Sequence, residues 1–360
     1  MYFCKAFLLS LFFCASSFAQ TEPKSLGEIA RELRGQKRAP QNEQLSTHAQ
    51  PAYSETNEVE SYRQQIRFLM VHEDYDGLEK MAAEARTSKA RFAGGVWKLY
   101  IFYETFGQSV FPNTPDALWL NGLQSLQKWM RSHPESITAP IAMAETLIAY
   151  AYHARGQGFA DTVTDNGWKL LHDRCQMALA VLDQAAQLPT RDPYWYQEML
   201  ALANLEGFDK EKTRTLLNEA VAFEPGFYHY YRQYASYLLP KWYGKEGEAE
   251  AFVKETSQRV GGEQGAFLYF ELSSVLNCQC GFNEDHLGNL SWQKIKEGYA
   301  IMERLYGSSK VKRNRFAYMA RLAEDKIVAR QAFDSIGDDW DNTVWKNRKL
   351  FDETKAWAMN

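Results

Sequence analysis

The stretch YWYQEMLALANLEGFDKEKTRTLLNEAVAFEPGFYHYYRQYASYLLPKWYGKEG, Tyr194 to Gly247, decides the fold. It reads as three helical segments, cut by Gly207 and by the Pro225-Gly226 pair and closed at Pro240. In the first two, apolar residues recur three and four apart, the pattern of a helix with one buried face. Two such helices joined by a short turn cannot bury their faces alone and must stack on neighbours, which is how a tetratricopeptide (TPR) unit is built. With Pro225 set on the helix-ending proline of such a unit, Leu217 and Ala220 fall on its packing positions. Trp195 and Gly207 match the first helix of the unit less well.

Working outward, the same periodicity fills the chain from Glu58 onward, and no β alternation interrupts it. Val59, Tyr62, Ile66 and Leu69 stripe one helix over Glu58–His72, and Leu78, Met81, Ala82 and Ala85 answer it over Tyr75–Ala90. An aromatic helix is expected over Phe92–Phe106, ended by Gly107. Thr114 as cap and Pro115 at the first helical position open the next, because the hydroxyl satisfies a free amide and proline lacks one. An apolar helix follows over Ser136–Ala154, broken by Arg155-Gly156-Gln157-Gly158. A long helix over Thr164–Leu188 places Trp168, Leu171, Cys175, Leu179 and Leu182 on one face. Beyond the opening stretch, Glu246–Val260 and Gln264–Asn277 form a pair, and Cys278–Gly288 is a polar loop. Ser291–Tyr306, Val311–Ala323 and Asp325–Ile336 continue the array, and a last helix over Asn342–Ala358 is expected to cover its open end. The fold class predicted is all-α, a TPR-like solenoid of helical hairpins over residues 58–360.

The start of the chain reads differently. Met1–Ala19 has one lysine, an apolar run too short to span a bilayer, and small residues at Ser17 and Ala19 before Gln20. That is the pattern of a cleaved export signal. Acylation at Cys14 is the alternative, disfavoured by the bulky Phe13 before it. Gln20–Asn57 is polar and poor in large apolar residues, so residues 20–57 are expected to stay disordered. Export implies an oxidising periplasmic or secreted setting. The three cysteines beyond the leader, Cys175, Cys278 and Cys280, are too few for a dense disulfide framework. A disulfide at Cys278 or Cys280 is expected, and a buried thiol at Cys175.

Forty-five per cent hydrophobic residues over 360 positions suffice for a large core, and 14% aromatics imply that rings make many of the helix contacts. The formal charge of −4, with no basic face, argues against a nucleic-acid partner. No integral membrane segment is expected once the leader is removed.

The run Ala154–Val163 (ARGQGFADTV), Trp168, and Leu238–Gly244 (LLPKWYG) resemble an uncharacterised bacterial family of unknown function with a TPR-like fold. Trp292, Gly298, Asn314 with Phe316, and the tail Phe333–Trp345 are similar to it as well, so the resemblance covers roughly Glu58–Trp345. It implies the helical-repeat fold and a bacterial envelope origin. It implies no activity.

A cluster of eleven rings stands out within the stretch Tyr194–Gly247: Tyr194, Trp195, Tyr196, Phe227, Tyr228, Tyr230, Tyr231, Tyr234, Tyr237, Trp242 and Tyr243. Most are explained by packing between helices. The functional alternative is a recognition surface where Tyr194, Trp195, Tyr228, Tyr231, Trp242 and Tyr243, with Arg232 and Lys241, hold a peptide or protein partner, because rigid rings and arginine are favoured anchors. Arg155 and Asp161 offer either an inter-helix turn, with Asp161 as a cap paired to Arg155, or a polar pocket beside that surface. Its glycines follow no strand and carry no Lys-Ser/Thr, so they make no phosphate loop. Cys278, Cys280 and His286 lack the second distant pair a zinc site needs, so no metal is expected. No Gly-x-Ser-x-Gly, His-Glu-x-x-His or Cys-His nucleophile pattern is present, so no catalytic residue and no cofactor are assigned. The expected role is an exported binding or scaffold protein for a peptide or protein in the envelope. The rivals are a hydrolase of envelope polymers using acids such as Asp161, Asp165 or Glu271, and a structural subunit of a secreted assembly.

Overall fold

Helix follows helix through the computed structural model, which describes residues 56–108, 114–156, 160–276, 286–345 and 347–360. The helices are α1 Thr56–Val71, α2 Tyr75–Ser88, α3 Lys98–Gly107, α4 Asp116–Ser132, α5 Thr138–Arg155, α6 Asp165–Ala185, α7 Pro193–Glu206 and α8 Lys210–Phe223. They continue with α9 His229–Tyr237, α10 Glu248–Val260, α11 Gly262–Leu276, α12 Trp292–Tyr306, α13 Lys310–Leu322, α14 Lys326–Ile336 and α15 Arg348–Met359. Alternate helices touch: each odd-numbered helix from α1 to α9 packs on the next odd-numbered one as well as on a sequence neighbour. Among the described residues no strand occurs beyond an isolated antiparallel bridge between Arg91 and Trp97.

Local chemistry sets the helix ends. Asp74, Thr164, Asp192, Asp209, Ser291, Ser309, Asp325 and Asn347 each accept a hydrogen bond from a backbone amide in the first turn of the helix they precede. Each satisfies one donor that the helix cannot pair internally. Gly207 ends α7 at φ 67°, a left-handed conformation that glycine adopts without strain. Asp192 is also a junction. Almost wholly buried, it accepts from Arg86 Nε and from the Tyr103 hydroxyl, both at 2.7 Å, and so ties α2, α3 and the start of α7 together.

Three expectations are corrected. The aromatic helix begins at Lys98, not Phe92, because Gly94 and Gly95 take φ of 77° and 79° and break the chain into a short turn. Pro115 occupies the cap position of α4 itself, so Thr114 is not its cap. The last helix begins at Arg348, and Asp341–Trp345 form turns that bury Trp345 beneath it. The leader over residues 1–19 and nearly all of the lead-in over 20–57 lie outside the described residues, as do Cys278 and Cys280.

Three of the residues that carried the family resemblance, Gly244, Gly298 and Asn314, serve the packing. A methyl group on Gly244 would collide with the Leu238 carbonyl, and one on Gly298 with the Ala266 carbonyl where α11 and α12 cross. Asn314, fully buried, donates to the carbonyls of Lys310 and Asp339 and accepts from Trp345 Nε1 at 2.7 Å. One side chain thereby fixes the turn before α15 to α13. The array also meets itself over long sequence separations. The Gly94 amide donates to the Gly307 carbonyl at 3.0 Å, and Arg91 donates to the Gly226 carbonyl while lying over Trp97 and Tyr306.

Candidate functional site

Helices α1, α3, α9 and α13 line a half-open cavity of about 390 Å³. Val59, Glu60 and Arg63 face it from α1, Tyr100 and Ile101 from α3, Tyr228 from just before α9, His229 and Arg232 from α9, and Lys310, Lys312 and Arg315 from α13. Five cations and two acids, Glu60 and Asp341, therefore lie on its wall.

Beneath that wall is a buried ion cluster. Glu271 of α11 is fully buried and accepts from Arg232 at 2.8 Å and from Lys312 at 2.6 Å. Arg232 also reaches Ser274 Oγ, and Arg315 donates to the Ser274 carbonyl at 3.1 Å, so three cations converge on one helical turn. Burial pushes the Lys312 amine down to about 8 against the pull of Glu271, and the charges of Arg232 and Arg315 push the same way.

His229 sits between two rings, stacked on Tyr100 at 3.7 Å between centroids and on Tyr228 at 4.1 Å. It is 5% exposed, and its Nε2 has no hydrogen-bond partner. Burial, then Arg232, Lys312 and Arg91, hold the imidazole well below its usual range, so the ring is neutral. Behind Tyr100 lies a pair of acids. Tyr194 donates to Glu145 at 3.0 Å, and the buried Glu198 of α7 lies beside Glu145. Burial raises Glu145 to about 7. Burial and then the Glu145 charge raise Glu198 well above the carboxylate range.

A second feature is an exposed aromatic patch where α5, α6 and α7 meet the turn after α9. Tyr152, Trp168 and Tyr243 are 39%, 40% and 41% exposed. Arg155 lies over the Trp168 ring at 5.7 Å, and Asn204 links Tyr243, whose hydroxyl donates to its carbonyl at 3.0 Å, to the Tyr152 hydroxyl.

The sequence-predicted residues divide between these places. Tyr194, Tyr228 and Tyr231 are not partly exposed anchors; they are 2%, 3% and 0% exposed, with the Tyr231 hydroxyl donating to the Pro225 carbonyl. Tyr228 and Arg232 border the cavity instead. Trp195 is half-buried and donates to the Leu182 carbonyl at 2.9 Å. Lys241 is exposed and Trp242 half-buried, while Tyr243 and Arg155 belong to the patch. Asp161 is exposed on a short turn, and the cap of α6 is Thr164, not Asp161. Trp168 leaves the apolar face of α6 that Leu171, Cys175 and Leu182 share, because it lies in the first turn with Arg155 beside it. Cys175 is a fully buried free thiol, its pKa raised by burial. The acids offered for hydrolysis separate too: Asp161 and Asp165 are exposed, and Glu271 is enclosed in ion pairs.

Sequence reasoning missed Glu145, Glu198, His229, Lys312 and Arg315. The one signal was a lone acid within an apolar helix, as Glu145 in TAPIAMAETLIAYAYHAR. Such a charge must find a partner inside the protein.

The class defined so far is an all-helical protein of packed helices, with a cation-walled cavity and a separate aromatic patch. A family model described as a domain of unknown function (DUF4034) matches residues 62–210, from α1 to the start of α8. That span includes the Glu145–Glu198 pair and Trp168, and it stops short of His229, Arg232 and Lys312. No curated protein and no solved structure matches the chain. Among the described residues no helix is long and apolar enough to cross a membrane.

Proposed function

We propose that the chain is an exported, TPR-like hairpin array that binds a peptide or protein partner in the bacterial envelope, as a binding or scaffold protein. The stacking of each odd-numbered helix on the next, from α1 to α11, supports the repeat architecture. The observation that carries the binding role is the aromatic patch. Monomeric proteins seldom leave three large rings exposed together, and an arginine beside them adds cation–π and fork-like hydrogen bonding. Tyr152, Trp168 and Tyr243 with Arg155 meet that description at the turn ends of adjacent helices.

The test is cross-linking and recovery from the native envelope with the wild-type chain and with Trp168→Ser and Tyr243→Ser variants. A polypeptide held by the wild type and lost from both variants, with melting temperatures unchanged, supports the reading. Capture that survives both substitutions sinks it.

A further inference from the structure

We propose that the cavity between α1, α3, α9 and α13 binds a small organic anion: one carboxylate or phosphate group on an apolar, ring-sized body. This goes beyond the polypeptide-binding reading, whose patch is built from other residues.

The polar wall points to an anion. Arg232, Lys312 and Arg315 meet at the turn of α11 that holds Glu271 and Ser274. Glu271 neutralises one charge of that group, while Arg315 turns to a neutral carbonyl. The Arg315 guanidinium is a rigid planar fork that suits the paired oxygens of a carboxylate or phosphate. Ser309, Lys310 and Val311, at the start of α13, also line the cavity. A helix start presents amides without intrahelical partners and the positive end of the helix dipole.

His229 supplies the second observation. A buried ring nitrogen without a partner costs stability unless something in the cavity completes it. The ring is held in place by Tyr100 and Tyr228, faces three nearby cations, and stays neutral. With the proton on Nε2, the ring is a fixed donor toward an anion in the cavity.

The body follows from the rest of the lining. Val59, Val96 and Ile101 are apolar, and Tyr100 closes one side with its ring. A volume of about 390 Å³ lies at the small end of the range for organic ligands, too small for a folded partner.

Isothermal calorimetry and thermal shift on the full chain with benzoate, phenyl phosphate, inorganic phosphate and benzyl alcohol test this. At least one of the two aromatic anions should bind one to one and raise the melting temperature. Which of the two is tighter distinguishes a carboxylate source from a phosphate source. Inorganic phosphate and benzyl alcohol should each bind at least tenfold more weakly. Arg315→Gln should weaken the anion at least tenfold, and His229→Phe, which keeps the stack, should weaken it severalfold. Equal binding of benzyl alcohol, equal binding of inorganic phosphate, or full affinity in both variants would each overturn the proposal. Capture of a polypeptide by the aromatic patch should persist in Arg315→Gln, so loss of one site is read separately from loss of the other.

Discussion

The imidazole of His229 lies flat on the ring of Tyr100, 6° from parallel. That contact places a titratable ring where protonation is opposed by burial and by Arg232, Lys312 and Arg91. The folded-state pKa is depressed, so below about 6.5 the unfolded chain takes up a proton that the folded chain refuses. Stability should therefore fall as pH drops through about 6.5, by up to about 1.4 kcal/mol per pH unit for this one group. His229→Phe removes the proton and keeps a flat ring. Urea midpoints between about pH 7 and pH 5 should show the wild type losing ground to the variant, and parallel curves would refute the assignment.

The Glu145–Glu198 pair carries the opposite sign. Its folded-state pKa values are raised, so above about pH 4.5 the unfolded chain releases protons that the folded pair keeps. Stability from this pair is full in acid and declines as pH rises toward and past about 7. Since His229 pushes the other way in acid, the wild-type curve alone cannot separate them. Glu198→Gln can, because its amide still donates to Glu145 and does not titrate. The variant should gain on the wild type steadily from about pH 5 to pH 8, read as a difference in unfolding midpoint. A difference that stays flat would mean that the folded pair does not hold those protons.

Glu271 and Lys312 form the most enclosed ion pair of the cavity wall, the acid fully buried and the amine nearly so. Removing one partner strands the other, and such losses run to about 3–5 kcal/mol. Glu271→Gln alone should cost that much in urea unfolding. Glu271→Leu combined with Lys312→Met should cost clearly less than the sum of the single changes, because no amine is left stranded. Additive costs would show that the pair is not coupled.

How much of this was legible in the sequence depended on the kind of signal. Periodicity placed the helices around Leu217, Ala220, Ala329 and Phe333, all fully buried, because an apolar stripe needs no knowledge of its partner. Caps were legible only to within a few residues: the sequence points to Thr114 and Asp161 as caps, and Pro115 and Thr164, one and three residues further on, hold those positions. The eleven-ring cluster was visible as a cluster, but not which rings face inward. That depends on helices from other hairpins: Tyr194 is closed off by Tyr103 and Glu145, both distant in the chain. The cavity was not legible at all. It unites Val59 with Arg315, and no local pattern encodes that meeting.

The same long-range closure makes one substitution change sign with its position. Gly94 adopts φ 77°, and a methyl group there would stand 2.7 Å from Ser309 Oγ and 2.8 Å from Lys312 Cγ. Gly94→Ala should therefore incur both backbone strain and a clash on the cavity side of α13, about 1–3 kcal/mol or more. Gly122 is the control. It lies inside α4, and a methyl group added there would have no neighbour within 4 Å, so alanine meets open space and a helical backbone. Gly122→Ala should stabilise by about 0.5–1 kcal/mol, the usual gain from removing glycine from a helix interior. Urea unfolding of the two variants beside the wild type gives both numbers. Opposite signs support the contact of the Gly94 turn with the start of α13; equal signs would mean that the turn is not held against it.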